Sequence, residues 1–227
     1  MTARAPIPWS YSSLNTFTTC PAQFHALKVV KTAADRPGEA AEYGNYVHKS
    51  FELRLKDGTP LPPDLAHHES TLLELAALPG EKFYEQRLAL DRDLKPSAFF
   101  ARKVWSRGVL DFLAVDGARA WVVDYKTGKR VPNSKQLQLC ALYVFHTHPA
   151  VQQVEGRYYM TMHGLKQPAP VVFTRAQMAD LWGKFLPDLK QYVEAFQTDI
   201  WQERPSGLCR GWCPVTHCAH WEKKRDS

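Results

Sequence analysis

The chain has 227 residues, 44% of them hydrophobic, and a formal net charge of +6. This length is enough for a large domain with a substantial core, and the composition excludes wholesale disorder. No run of about 18 apolar residues is present, so we expect no membrane association, and no secretion signal opens the chain. We therefore expect a cytoplasmic protein (in the host cytoplasm if a phage encodes it). The positive charge is compatible with an anionic partner such as nucleic acid, but plain soluble proteins share it.

Helical patterns fill the first third of the chain. Serines after Trp9 can cap a first helix, which Pro21 should divide, so we expect a broken helical segment over 9–28. A second helix is predicted over 40–56, where an apolar residue recurs at every fourth position. That apolar face consists of Tyr43, Val47, Phe51 and Leu55. A proline-rich loop follows, and a third helix is predicted over 65–78.

From residue 83 onward, apolar and polar residues alternate with a period of two, which predicts β-strands. The predicted strands cover 83–90, 104–115 and 119–126. Between the last two lies Asp-Gly at 116–117, a strong signal for a two-residue hairpin turn. We expect these two strands to pair antiparallel, in a register that places Val115 opposite Ala118 and Asp111 opposite Val122.

The second half of the chain contains both the helical pattern and the alternating pattern of β-strands. A helix is predicted over 134–147, and strands are predicted over 151–162 and 171–174. Thr174 and Gln177 form a capping box for a last long helix, which Pro187 should kink or divide. Interleaved strands and helices predict an α/β fold with a mixed central sheet flanked by helices. An N-terminal helical segment and a C-terminal Cys-rich tail complete the expected architecture.

The third predicted strand ends in Asp124 and Lys126, which point to the same side because side chains alternate along a strand. In the expected register, Asp111 is the diagonal neighbour of Asp124 on that face. Two adjacent carboxylates repel each other unless a cation or a proton intervenes. Hard cations such as Mg²⁺ prefer oxygen ligands and activate water, and a nearby lysine can stabilise developing charge. These parts suit phosphodiester hydrolysis, and the alternative is an ordinary ion-pair network.

Six short motifs, taken in order, resemble those of the PD-(D/E)XK nucleases and in particular the RecB-like exonuclease branch. The resemblance spans nearly the whole chain and implies a restriction-endonuclease-like core. The motifs are Ser12-Ser13-Leu14 with Cys20-Pro21-Ala22-Gln23-Phe24, Gly44-Asn45-Tyr46-Val47-His48, Glu85, Gly108-Val109-Leu110-Asp111, Asp124-Tyr125-Lys126-Thr127-Gly128 and Gln136-Leu137-Gln138-Leu139.

The resemblance also implies roles for individual residues. The ligands of a Mg²⁺ or Mn²⁺ ion would be His48, Asp111, Asp124 and the main-chain carbonyl of Tyr125. Lys126 would be the catalytic lysine, Glu85 matches an acidic position before the hairpin, and Gln136 would contact substrate or steady the site. One departure concerns the family's glutamine motif, whose tyrosine is replaced here by Cys140. Tyr143, one helical turn further on, could take over its contact with DNA.

The expected function is metal-dependent hydrolysis of DNA, by an exonuclease acting on single strands or duplex ends. A structure-selective endonuclease and a non-cleaving nucleic-acid-binding module are the alternatives. Candidates for holding the substrate phosphates are Arg102, Lys103, Arg107, Lys129 and Arg130. We expect a single nuclease domain over 1–227, made of a helical part over 9–80, a catalytic sheet core over 81–174, and a C-terminal helix and tail over 175–227.

Five cysteines are present, and an odd number in an intracellular chain argues against a disulfide framework. Some members of the RecB-like branch hold a [4Fe-4S] cluster through one N-terminal and three C-terminal cysteines. That layout is matched here by Cys20, Cys209, Cys213 and Cys218. The tail spacing is Cys-x3-Cys-x4-Cys, where the branch usually has Cys-x2-Cys-x5-Cys. His217 and His220 keep Zn²⁺ open as an alternative, and the remaining cysteine is expected to pack in a helix.

Overall fold

The structure is a computed structural model that describes residues 5–35, 38–129, 133–162 and 167–222. The chain forms two compact units. The sheet unit is Gly38–Trp182, and the terminal unit combines Met1–Pro37 with Gly183–Ser227. The expected single nuclease domain, with its three parts, stays a prediction.

A five-stranded mixed sheet forms the centre of the sheet unit, with the strands in the order β1-β2-β3-β4-β5. The strands are β1 (Glu81–Asp91), β2 (Val104–Asp116), β3 (Arg119–Lys126), β4 (Gln153–Met160) and β5 (Val171–Thr174). Neighbouring strands are antiparallel except for β3 and β4, which are parallel. The parallel pair is joined through a helix, as a parallel crossover requires. The predicted α/β fold with a mixed sheet is therefore confirmed.

The described part of the chain contains seven α-helices. They are α1 (Tyr11–Thr19), α2 (Pro21–Phe24), α3 (Glu39–Asp57), α4 (Glu69–Ala76), α5 (Lys135–Thr147), α6 (Met178–Gly183) and α7 (Leu186–Thr198). A π-helical turn covers His25–Val29, and 3₁₀ turns cover Pro63–His68, Arg175–Gln177 and Gly207–Cys209. None of these helices combines the length and the apolar character that a membrane span needs.

The predicted start and stop signals lie where the helices begin and end. The Ser10 hydroxyl accepts the Ser13 N–H and caps α1, and Pro21 is the first residue of α2. Helix α3 ends at Gly58, whose φ of 71° favours glycine. Pro187 lies in the first turn of α7, and the long C-terminal helix is divided just before it, as predicted.

Two details of the helical predictions are wrong. Tyr43 was expected on the buried face of α3, but its side chain is 45% exposed. The four-residue spacing drifts around a helix with 3.6 residues per turn, so the ends of such a series leave the buried face. The predicted helix over 65–78 is a 3₁₀ turn, Pro63–His68, followed by the shorter α4.

The core of the sheet unit lies between α3, α4 and the middle of the sheet. Its buried apolar side chains come from Val47 and Phe51 on α3, Leu65 in the 3₁₀ turn, Leu72 and Leu75 on α4, Phe112 and Ala114 on β2, and Val123 and Tyr125 on β3. Burial of each large apolar side chain contributes about 1.5–3 kcal/mol. This packing holds α3 against the interior of β2 and the end of β3, where the predicted site residues lie.

The β2–β3 hairpin differs from the expected register by two residues. Its pairs run from Asp116 with Arg119 to Phe112 with Val123. The expected pairing of Asp111 with Val122, and with it that of Val115 with Ala118, is wrong. The positive φ of the turn falls on Gly117, which forms the two-residue loop with the residue after it. Asp111 and Asp124 consequently lie directly beyond the last pair, across from each other at one end of the hairpin.

Aromatic side chains fill the terminal unit. Phe17, Phe24 and Tyr192 contact one another edge to face, with ring centroids 5.2–5.7 Å apart. The ring of Trp201 stacks on His25 at 4.6 Å. The first helices and the C-terminal tail therefore share one apolar centre, which brings cysteines from both parts of the chain together.

Candidate active site

His48 enters the site from α3, directly after the buried Val47. Its imidazole is half-buried, and its two nitrogens face different groups. Nδ1 lies 3.4 Å from Oδ1 of Asp111 and 3.9 Å from Oε1 of Glu85. Nε2 lies 3.1 Å from the main-chain oxygen of Tyr125. One side chain of α3 thus reaches all three of the strands that the catalytic motifs occupy.

His48, Glu85 and Asp111 form a group that could hold a metal ion, because their ligand atoms all lie within 4.8 Å of one another. Adjacent ligands of an octahedral Mg²⁺ lie about 3.0 Å apart, given bonds of about 2.1 Å. The separations from Nδ1 of His48 to Oδ1 of Asp111 and to Oε1 of Glu85, 3.4 and 3.9 Å, are somewhat wider than that value. The donor set and its approximate spacing therefore fit a divalent cation.

Glu85 has an unusual backbone, with a φ of 48° in the left-handed region. Regular pairing of β1 with β2 is interrupted at this residue, between the pairs Tyr84 with Phe112 and Gln86 with Leu110. Such a conformation is uncommon for a residue with a side chain, and its cost persists only where the surroundings enforce it. At this point the edge strand departs from regular geometry and presents a carboxylate beside Asp111.

Tyr125 joins the core to the site through its backbone. Its N–H donates to Oδ2 of Asp111 at 2.8 Å, which fixes the orientation of that carboxylate. Its carbonyl oxygen lies 3.1 Å from Nε2 of His48, a hydrogen-bond distance on the side of the imidazole opposite the nitrogen that faces Asp111. Its ring is only 3% exposed and packs edge to face on Phe51, with the centroids 5.0 Å apart. The ring is therefore part of the core of the sheet unit.

Asp124, Lys126 and Gln136 form a second, directly connected set. The Lys126 ammonium lies 2.5 Å from Oδ2 of Asp124 and donates to Oε1 of Gln136 at 3.0 Å. The Gln136 amide in turn donates to Oδ1 of Asp124 at 2.5 Å. Both carboxylate oxygens of Asp124 are engaged by this set, and Asp124 is not in the group of three that could hold a metal. Its predicted role as a ligand stays a prediction, as does that of the Tyr125 carbonyl.

The clustering of acids changes their protonation. Burial raises the pKa of Asp124 to about 6, and the charge of Asp111 adds to this, while Lys126 opposes it. The pKa of Glu85 is raised first by burial and then by Asp111. Burial lowers the pKa of His48, but the neighbouring carboxylates outweigh it and the net shift is upward. A divalent cation would relieve the repulsion among these three neighbouring carboxylates.

Tyr143 and Cys140 are buried in α5, so Tyr143 does not take over a contact with DNA. Tyr143 is 1% exposed, and its hydroxyl lies 2.5 Å from Oγ of Ser106. Its ring covers Gly108, where an added Cβ would come within 2.7 Å of Cε2. Burial raises the pKa of the Cys140 thiol, so this cysteine packs in the helix as expected. The glycine that precedes Asp111 by three residues is therefore explained by close packing.

The remaining cysteines gather in the terminal unit. Cys20, Cys209, Cys213 and Cys218 are free thiols that line one cavity of about 450 Å³. Burial raises the pKa of Cys213, and the other three thiols add to this effect. His217 and His220 also line the cavity. The structure thus brings together the four cysteines that the sequence pattern had grouped.

Sequence reasoning missed two features of the site. Glu85 was assigned from its place before the hairpin, whereas its left-handed backbone and its distance to His48 place it among the possible metal ligands. The sequence carries no signal for that backbone, because a left-handed residue is usually glycine or asparagine. The bridge that Gln136 makes between Asp124 and Lys126 is likewise visible only in the structure. Arg130, a candidate phosphate ligand, lies outside the described residues.

Comparison with known proteins places this arrangement in a family. No curated protein matches the chain significantly. In fold it is similar to a candidate exonuclease from Eubacterium rectale, with a TM-score of 0.55 at 11% identity over 97% of this chain and 91% of that one. The solved structure of SSO0001 gives a TM-score of 0.46 at 14% identity, over 98% of this chain and 91% of that one. A family model described as the PD-(D/E)XK nuclease superfamily matches residues 8–218, and the chain therefore belongs to the PD-(D/E)XK nuclease superfamily.

Proposed function

We propose that this protein is a metal-dependent deoxyribonuclease of the RecB-like branch, and that it acts as an exonuclease on single strands or duplex ends. The observation that carries the proposal is the convergence of His48, Glu85 and Asp111 within 4.8 Å, across from the ion pair of Asp124 and Lys126. Superfamily membership supports nucleic-acid hydrolysis as the reaction. The formal net charge of +6 favours a polyanionic substrate.

The proposed metal is Mg²⁺ or Mn²⁺, held by His48, Glu85 and Asp111. The Tyr125 carbonyl and Asp124 are the further ligands that the family resemblance implies. Carboxylates suit both ions, and the imidazole nitrogen in the set favours Mn²⁺ of the two. A divalent cation bound here would activate water and stabilise charge on the phosphate under attack.

Lys126 is the proposed catalytic lysine, and its neighbours hold it in place. Asp124 pairs with the ammonium, and Gln136 fixes its direction by accepting one of its N–H bonds. A positioned ammonium stabilises negative charge that develops on a phosphate oxygen. Asp111 accepts the Tyr125 N–H, which keeps its other carboxylate oxygen oriented toward His48. Its negative charge therefore lies beside the proposed metal position.

The deciding experiment measures cleavage of end-labelled linear DNA and of closed circular DNA, single-stranded and duplex, with Mg²⁺ and with Mn²⁺. The variants are Asp124→Ala and Lys126→Ala, and Asp116→Ala is a matched control because this exposed acid lies at the far end of the same hairpin. Loss of a group that stabilises transition-state charge costs roughly 10²- to 10³-fold in rate. We expect such losses for the two site variants and none for Asp116→Ala.

The outcomes separate the alternatives. Release of mononucleotides from linear DNA, with circles left intact, supports the exonuclease. Cleavage of circles indicates an endonuclease instead, and tight DNA binding without cleavage indicates a binding module that keeps the fold. If both site variants cleave as fast as the wild type, the proposed active site is wrong.

We also propose that the four cysteines of the terminal unit hold a [4Fe-4S] cluster with a structural role. They line one cavity of about 450 Å³, which supports a shared ligand. Four thiolates suit either an iron–sulfur cluster or Zn²⁺, and the resemblance to the RecB-like branch favours the cluster.

The cluster proposal is tested on protein purified without oxygen. We expect a brown colour, broad visible absorption, and iron and sulfide in equal amounts at about four each per chain. A colourless protein with one zinc per chain would establish the alternative site. The free thiols suit the reducing cytoplasm, which we propose as the location of the protein.

A further inference from the structure

An exposed aromatic surface lies on the β1–β2 hairpin, apart from the possible metal ligands. The loop that joins these strands presents Phe100, whose side chain is 75% exposed. Phe99 is half-buried beside it, with the two rings nearly perpendicular and their centroids 5.1 Å apart. A large ring held in place by a neighbour, with most of its area in water, is available to stack on a planar ligand.

Two arginines accompany these rings. Cζ of Arg87 lies 5.8 Å from the centroid of each phenylalanine ring, and Cζ of Arg107 lies 5.3 Å from that of Phe99. These distances are typical of cation–π contacts. In the described part of the chain, neither guanidinium forms an ion pair with a carboxylate. Their charges are therefore available to an anionic ligand at the same place as the exposed ring.

This surface continues toward the metal ligands along two strands. Arg87 pairs with the exposed Val109 in the β1–β2 register. Glu85 lies two residues from Arg87, and Asp111 lies two residues from Val109, a separation of roughly 7 Å along each strand. Strand β1 is at the edge of the sheet, and within the described ranges no further strand pairs with its outer side. A chain of nucleotides that crosses the surface can reach the metal ligands within about two nucleotide lengths.

We propose that an arginine–aromatic surface binds the single-stranded end of a DNA substrate, with an unpaired base stacked on Phe100. This surface consists of Arg87, Phe99, Phe100 and Arg107. The proposal rests on the proposed function for the identity of the ligand as DNA. Every base has a π face, so an aromatic platform flanked by positive charge binds single strands with little sequence preference. Bases inside a duplex are already stacked on one another, and only unpaired bases can use the ring.

The test compares variants of the exposed ring by fluorescence anisotropy with EDTA present, so that binding is measured without cleavage. The ligands are a labelled oligothymidine and a blunt hairpin duplex of equal charge. Phe100→Ala should weaken binding of the single strand by roughly 5- to 150-fold, the range for loss of one stacked base. Phe100→Trp should retain or tighten it. Leu73→Ala, at a side chain that is 52% exposed on α4, is the matched control and should change nothing.

Two further readouts report on the mode of binding. A 2-aminopurine placed at the end of the strand should be quenched by the wild type and by Phe100→Trp, and less by Phe100→Ala. Arg87→Gln should reduce the slope of log affinity against log salt by about 0.7, the value for one phosphate contact on a single strand. The Phe100 variants should leave that slope unchanged, because the ring carries no charge.

The results distinguish this proposal from the proposed nuclease function. The proposed role of the arginine–aromatic surface is wrong if Phe100→Ala binds the single strand as tightly as the wild type. It is also wrong if the substitution weakens duplex binding as much as single-strand binding, even when the wild type cleaves DNA. If the wild type does not cleave DNA, and Phe100→Ala selectively weakens binding of the single strand, the proposed binding surface is supported and the proposed nuclease function is wrong. If the wild type binds no DNA at all, the proposed role of the surface is wrong as well.

Discussion

Gly108 lies beneath the buried ring of Tyr143, and replacing it with alanine tests whether packing explains the glycine of the Gly-x-x-Asp motif. A Cβ at this position would lie 2.7 Å from Cε2 of the ring and 3.4 Å from Cδ2. Favourable contacts between carbon atoms occur at about 3.5–4.0 Å, so the ring would have to retreat by about 1 Å. The ring is 1% exposed and its hydroxyl is held by Ser106, so little movement is open to it.

The expected cost follows from this geometry. Overpacking of a buried site by one methyl group destabilises a protein by about 1–3 kcal/mol. For a chain of this length, each kcal/mol lowers the melting temperature by about 2–4 °C, so Gly108→Ala should melt roughly 2–12 °C below the wild type. Asp111 follows three residues later on the same strand, and displacement of β2 should also lower the cleavage rate.

Differential scanning calorimetry of Gly108→Ala and Gly183→Ala provides the measurement and its matched control. A Cβ at Gly183, the last residue of α6, meets nothing within 4 Å, so that variant should melt at or slightly above the wild-type temperature. Tyr143→Phe added to Gly108→Ala should give no rescue because Cε2 remains, whereas Tyr143→Leu should recover part of the loss in a double-mutant cycle. If the melting temperature of Gly108→Ala equals that of the wild type, packing does not explain this glycine.

Three further predictions concern the site and its surroundings. Gln136→Leu removes both hydrogen bonds that orient Asp124 and Lys126, and steady-state cleavage should slow by about 10- to 100-fold while the melting temperature stays near that of the wild type. His48→Ala should weaken Mn²⁺ binding in titration calorimetry at least tenfold. Mn²⁺ at 100 times the wild-type Kd should stabilise the wild type by about 2.7 kcal/mol, and the same concentration should stabilise the variant by about 1.4 kcal/mol or less. Burial and the neighbouring histidine lower the pKa of His68 to about 4, below its unfolded value of 6.5, so the unfolded state binds more protons between these values and stability falls as the pH drops from 6.5 toward 4. Urea unfolding should show a loss of about 1.4 kcal/mol per pH unit in this window for the wild type relative to His68→Phe, and equal pH dependence in both proteins would contradict the assignment.

Much of the fold could be predicted because its signals are local. Alternation with a period of two marked the first three strands, and serine, glycine and proline marked the ends of helices. The grouping of Cys20 with the three tail cysteines, which line one cavity, depended on a family resemblance rather than on any local signal. The chain's membership of the nuclease superfamily followed from motif order, since each motif alone is short.

What could not be predicted depends on contacts between distant segments. The hairpin register was wrong by two residues because it depends on which residue of the turn adopts a positive φ, and Gly117 can do so in either of two turn positions. Glu85 adopts a positive φ, a conformation for which glycine is preferred, so local propensity does not predict it for a glutamate. Tyr143 was offered as a substitute for the family's tyrosine because helical spacing identifies neighbours on one side of a helix, but not which side the sheet covers.

Tyr125 shows how the core determines the geometry of the candidate site. Its ring is fixed against Phe51, while its N–H orients Asp111 and its carbonyl oxygen contacts His48. Helix α3 contributes both the core residue Phe51 and His48, three residues earlier, so the packing that anchors the helix also sets the position of the imidazole. Possible metal ligands from three elements are thereby aligned by apolar contacts that do not depend on a cation. The aromatic residue between Asp124 and Lys126 is thus best understood as a positioning residue, whose backbone serves the site and whose side chain serves the core.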